Sequence, residues 1–133
     1  MSFTIKDMTI RDEYNRQRIF KGVNICFKGR ENQHEIYEFF DKFENDKSFR
    51  DEQYDMLTSN GVNLIRLGVT WAMLEPRKNQ FDEKIISYLK LFVDECQKRN
   101  IYIVLDLHQD LFYSNGKHGD GAPKWITRDY KEK

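Results

Sequence analysis

His108-Gln109-Asp110 follows directly on the apolar run that ends at Leu107. A neutral imidazole offers one hydrogen-bond donor and one acceptor, and a carboxylate offers acceptors only. The pair can therefore grip hydroxyl groups or coordinate a hard cation. Arg66 places a charge in the middle of "LIRLGV", and a guanidinium in a buried strand needs carboxylate partners. Trp71, five residues on, can pack in a core or serve as a stacking plate for an apolar ring face. Lys28 is either a solvated loop residue or a donor to a polar ligand. Plainer readings stand beside the others too: a core-satisfied His108, an Asp110 that caps a turn, an Arg66 in a structural ion pair.

A metal reading can be built from His108, Asp110, His118 and Asp120. Their spacing matches no closed zinc pattern, so neither a metal nor a cofactor is expected. The run Asn115-Gly116-Lys117-His118-Gly119-Asp120-Gly121 is too irregular for a phosphate-binding fingerprint and reads as a loop after a strand.

Three apolar strands must position these residues. Residues 18–27 form the first, 62–71 the second and 101–107 the third. Residues 9–20 read as a β-hairpin, with Ile10 and Ile19 flanking the polar turn 12–16 and Asn15 suited to a left-handed position. Between the first two strands, Ile36, Phe39, Phe40 and Phe43 lie on one helical face. A second helix, capped by Asp46 or Ser48, carries Phe49, Met56 and Leu57 and stops at Gly61. Asp82 then caps a long helix with the stripe Ile85, Ile86, Leu89, Phe92, Val93 and Cys96, ended by Asn100.

Continuous apolar strands alternating with helices predict a parallel α/β sheet covered on its faces. In such folds the site gathers at the carboxyl ends of the strands. Lys28, Trp71 and His108-Gln109-Asp110 all stand there, with Arg66 just inside.

Lys+Arg and Asp+Glu both number 22 in 133 residues, and the balance gives no electrostatic footprint for nucleic acid. No apolar run is long enough for a transmembrane segment, and the start carries no signal-peptide pattern, so a cytoplasmic location is expected. Cys26 and Cys96 read as buried free thiols. The phenylalanines at 39, 40 and 43 are expected to pack a helix onto the domain, not to bind lipid.

Three segments, "RIFKGVNICFKG", "NGVNLIRLGVTWAMLEP" and "IYIVLDLHQDLF" with "GDGAPKW", resemble in order and spacing the N-terminal part of glycoside hydrolase family 5, the cellulase family. Endoglycoceramidase-related members are the most similar. The resemblance implies a (β/α)8 barrel with a hairpin as its floor, here represented by about three βα units. It also implies retaining hydrolysis of glycosidic bonds in glycans or glycolipids. Arg66 matches the family's strand-two arginine beside the nucleophilic carboxylate, and His108 matches the strand-three histidine that lines the cleavage subsite. Lys28 and Asp110 match residues that hydrogen-bond the sugar next to the scissile bond, and Gln109 and Trp71 belong to the same wall. Asn15 stands where the family commonly has glycine. The family's two catalytic glutamates, after strands four and seven, have no counterpart within these 133 residues. Glu75, in "LEP", matches neither. The chain is thus expected to be one partial barrel domain, inactive alone, whose partner is the rest of the barrel.

Overall fold

The structure, a computed structural model, describes residues 2–27, 33–112 and 120–128. Its elements run β1 (Phe3–Lys6), β2 (Thr9–Asp12), β3 (Gly22–Phe27), α1 (Gln33–Asn45), α2 (Lys47–Ser59), β4 (Leu64–Thr70), α3 (Trp71–Leu74), α4 (Glu83–Lys98), β5 (Tyr102–His108) and α5 (Lys124–Arg128). The expected α/β order is present. β3, β4 and β5 form a parallel sheet in that order, with Gly22 opposite Leu64, Leu64 opposite Tyr102 and Thr70 opposite His108.

Alternation along β4 sorts its side chains onto two faces. Ile65, Leu67 and Val69 are buried against the helices. Ile65 and Leu67 pack among Phe43, Tyr54, Phe92 and Cys96, and Val69 packs with Ile36, Phe40, Met73, Ile85 and Tyr88. Arg66, Gly68 and Thr70 line the opposite face, in register with Asn24 and Cys26 of β3 and with Val104, Asp106 and His108 of β5. One face is therefore an apolar base for helices and the other carries the polar groups.

The hairpin lies earlier than expected. β1 and β2 pair antiparallel around Asp7 and Met8, whose φ values of 50° and 56° make a two-residue turn. Asp-Met lacks the glycine that usually announces such a turn, which is why the sequence hides it. The anticipated turn at 12–16 also exists. Asp12 Oδ1 accepts from the amides of Tyr14 and Arg16, and Asn15 takes φ 60°. Its return leg contributes one bridge, Arg11 to Gln17, and no second strand. Phe20 leaves the hairpin to meet Phe3 and Tyr102 edge-on, an aromatic plug at the amino-terminal end of the sheet.

The helices follow the capping chemistry of their sequences. Asp46 caps α2 by accepting from the Phe49 amide, and Asp82 caps α4 by accepting from the Ile85 amide. Gly61, at φ 70°, ends the α2 segment, and Asn100, at φ 57°, ends the α4 segment. Two details differ from the predicted stripes. Met56 is exposed and Tyr54 is buried in its place, its hydroxyl donating to the Phe92 carbonyl at 3.1 Å. In α4 the buried face is Ile85, Tyr88, Phe92 and Cys96, with Ile86 and Val93 turned toward solvent. Phe40 and Phe43 are fully buried, as packing residues should be. Cys96 is a buried free thiol; Cys26 is only half-buried.

β5 departs from the expectation of strands buried on both faces. Leu105 and Leu107 are each 66% exposed, although their register partners Leu67 and Val69 on β4 are buried.

Candidate functional site

The polar groups converge at the carboxyl end of the sheet. Arg66, in the middle of β4, reaches across to β5, where its Nη2 lies 2.7 Å from Asp106 Oδ2. The same Oδ2 is 3.1 Å from His108 Nδ1. Asp106 and His108 are two apart on one strand, so both side chains share the face that carries Arg66. His108 Nε2 is sealed from solvent without a hydrogen-bond partner among the described residues and lies 3.6 Å from Asp110 Oδ2. A line of four side chains results: Arg66, Asp106, His108, Asp110. Arg66 is 45% exposed at its side chain, so the strand that carries it is apolar while its guanidinium edges an open face.

β5 runs one residue further than predicted, through His108, and this places the imidazole on the inner face. Asp110 arrives by another device. It pairs antiparallel with Asp120 through reciprocal amide–carbonyl bonds of 2.9 and 2.8 Å, and its amide also donates to Asp120 Oδ1 at 3.0 Å. Gly121 makes this bridge feasible. Its φ is 130°, and a side-chain carbon there would fall 2.5 Å from Gln109 Cβ and 2.9 Å from the Phe112 carbonyl oxygen. Gln109 is exposed beside this glycine.

Trp71 opens α3 instead of closing β4, and belongs to an adjoining cluster. Its indole N–H donates to Glu75 Oε2 at 2.7 Å, while Oε1 of that buried carboxylate accepts from the Asn79 amide. Trp125 donates to the Glu75 carbonyl at 3.0 Å and meets Trp71 edge-on at 5.5 Å. The Ala72 amide donates to the Gly121 carbonyl at 2.7 Å, which ties this cluster to the Asp110–Asp120 bridge. Trp71 is thus a half-buried ring fixed by a hydrogen bond.

Sequence reasoning had demanded a carboxylate for Arg66 without finding it. Asp106 answers that demand, and its signal was a charge at period two from His108 inside an apolar strand. Lys28 and His118 lie outside the described residues. Three of the four residues of the metal reading do come together: His108, Asp110 and Asp120 bring one ligand atom each within 4.8 Å of one another.

Polar side chains at the carboxyl ends of parallel strands, over a floor made by a hairpin, define the class: a part of a (β/α)8 barrel with its site on the usual face. The chain belongs to the cellulase family, glycosyl hydrolase family 5, whose sequence profile matches residues 20–132. The endoglycoceramidase of Hydra vulgaris is 32% identical over 116 residues, 87% of this chain and 21% of that protein. Among solved structures, an exo-beta-1,4-mannosidase from Opitutaceae bacterium strain TAV5 is 26% identical with a TM-score of 0.63, covering 92% of this chain and 20% of its own. Sterylglucosidase 1 of Cryptococcus neoformans superposes with a TM-score of 0.76 over 92% of this chain and 19% of its own; at 24% identity this likeness establishes the fold. The chain spans about a fifth of the length of the curated relatives it matches. No helix among the described residues is long and apolar enough to cross a membrane.

Proposed function

We propose that this chain is the sugar-holding wall of a glycosidase that cleaves the glycosidic bond of a glycolipid, a glycosylceramide, with retention of configuration. The observation that carries the reading is the line Arg66–Asp106–His108–Asp110 at the strand ends of a chain that belongs to this hydrolase family. The printed identity of the Hydra vulgaris relative, an endoglycoceramidase, supports the substrate class.

In this reading Arg66 holds and orients the nucleophilic carboxylate, and His108 and Asp110 hydrogen-bond hydroxyls of the sugar at the cleavage point. Lys28 and Gln109 add polar contacts, and Trp71 offers its fixed ring as a stacking surface. Retention needs two carboxyl groups about 5–5.5 Å apart. The family places these on glutamates that the 133 residues do not contain, so the isolated chain is expected to bind but not to turn over. The test compares the whole protein with the isolated chain on a glycosylceramide and an aryl β-glycoside. Turnover by the whole protein alone supports the reading; turnover by the purified chain contradicts the placement of the glutamates, and sugar binding without turnover by either makes the protein a carbohydrate-binding one.

A second reading, metal-dependent hydrolysis, is favoured by the convergence of His108, Asp110 and Asp120. Stoichiometric zinc or manganese retained through dialysis, with activity lost on chelation, would select it.

A further inference from the structure

Asp106 Oδ2 has two neighbours that differ in what they can do. Arg66 Nη2, at 2.7 Å, can only donate. His108 Nδ1, at 3.1 Å, donates or accepts according to its tautomer. An oxygen that already accepts from a guanidinium has a second lone pair to offer, so the 3.1 Å contact is attractive only with the proton on Nδ1. The opposite tautomer would set the Nδ1 lone pair against Oδ2. It would also aim an N–H at Asp110 Oδ2 across 3.6 Å, beyond a normal hydrogen bond.

We infer that Asp106 is a positioning residue that fixes His108 as the Nδ1–H tautomer, so that the enclosed Nε2 faces the site as a bare acceptor beside Asp110. His108 Nε2 then stands as an acceptor 3.6 Å from the carboxylate oxygen Asp110 Oδ2, and a donor suits it. A sugar hydroxyl is such a group, and its hydrogen can be shared between them. Gly68 leaves room for this arrangement: a side-chain carbon there would stand 3.4 Å from His108 Cβ and 2.7 Å from Cys26 Sγ. The inference rests on the proposed sugar site for its purpose, but its geometry stands on the described residues alone.

The test is a long-range nitrogen–proton correlation spectrum of the histidine rings in the ¹⁵N-labelled whole protein at neutral pH. The His108 signals are assigned by their loss in His108→Gln. One protonated Nδ1 and one unprotonated Nε2 are expected. A protonated Nε2, a doubly protonated ring or averaging between tautomers would overturn the inference, and this measurement needs no altered Asp106. Asp106→Ala removes the one oxygen that both Arg66 Nη2 and His108 Nδ1 contact. The expected result is loss of the fixed Nδ1–H form, seen as averaging between tautomers or as Nε2–H, with kcat on a glycoside lowered by about tenfold or more and KM changed much less. An unchanged tautomer in a folded Asp106→Ala protein would also overturn it. A whole protein that cleaves no glycoside yet shows the Nδ1–H form sinks the proposed function and leaves this inference standing. A cleaving protein with the other tautomer does the reverse.

Discussion

Arg66 and Asp106 meet at 2.7 Å across neighbouring parallel strands, joining the centre of β4 to the carboxyl half of β5. The contact gives Arg66 a carboxylate partner within the chain and leaves its side chain 45% exposed toward the open face. Its guanidinium has further donors for a second carboxylate. In the whole protein, Arg66→Ala is expected to lower kcat on a glycoside by about 100-fold or more while KM moves much less, because its aim on a nucleophile matters most in the transition state. Unchanged kcat in a folded variant would reduce Arg66 to a structural partner of Asp106.

Gly68→Ala should destabilise the protein through crowding, not through backbone strain. The new methyl would stand 2.7 Å from Cys26 Sγ and 3.2 Å from Cys26 Cβ. Such overpacking typically costs about 1–3 kcal/mol. Denaturant midpoints should show Cys26→Ala relieving a large part of that loss in the double variant; strictly additive losses would place the strain elsewhere.

Glu95 on α4 predicts a defined acid sensitivity. The Lys98 ammonium donates to its carboxylate at 2.6 Å and lowers its pKa; burial opposes this, and Arg99, at 2.6 Å, adds to the lowering. A folded pKa below the unfolded one means stability that is complete above the ordinary glutamate value of about 4.3 and is lost as pH falls through the lower folded value. Glu95→Gln should therefore cost about 1–2 kcal/mol near neutrality, with the gap to the parent closing below about pH 4. A pH-independent gap would mean that packing, not charge, carries the effect.

Trp71→Phe removes the N–H that satisfies Glu75 Oε2 and keeps a ring of similar reach. The buried carboxylate oxygen loses its donor, at a cost of about 1–3 kcal/mol. If the ring is also a stacking surface, KM for a glycoside should change little with Phe and rise with Ala, which steady-state kinetics can separate. Equal KM values for both variants would confine Trp71 to a structural part.

The legible parts of the sequence were those with local physics. Asp82 as a cap, Asp46 as one of two cap candidates, Asn15 in a left-handed position, Asn100 as a helix end, and the inward phenylalanines at 40 and 43 all follow from side-chain chemistry near in sequence. The β1–β2 turn was hidden because Asp7-Met8 does not look like a turn. Tyr54 was hidden because its hydroxyl finds a carbonyl 38 residues away. Arg66, His108 and Asp110 were visible as polar groups where a strand is or ends, whereas Asp106 required knowing that β4 and β5 are neighbours in register. Glu75 looked like a loop carboxylate until Trp71 and Trp125 closed around it.

The most direct test of the sugar wall is a crystal structure of the whole protein with a glycoside or its non-hydrolysed analogue, grown in the presence of zinc or manganese. The expected result is a sugar whose hydroxyls lie within hydrogen-bond distance of both His108 Nε2 and an Asp110 carboxylate oxygen, with no metal ion between them. A metal ion held jointly by His108, Asp110 and Asp120, or a sugar that contacts neither His108 nor Asp110, would contradict it.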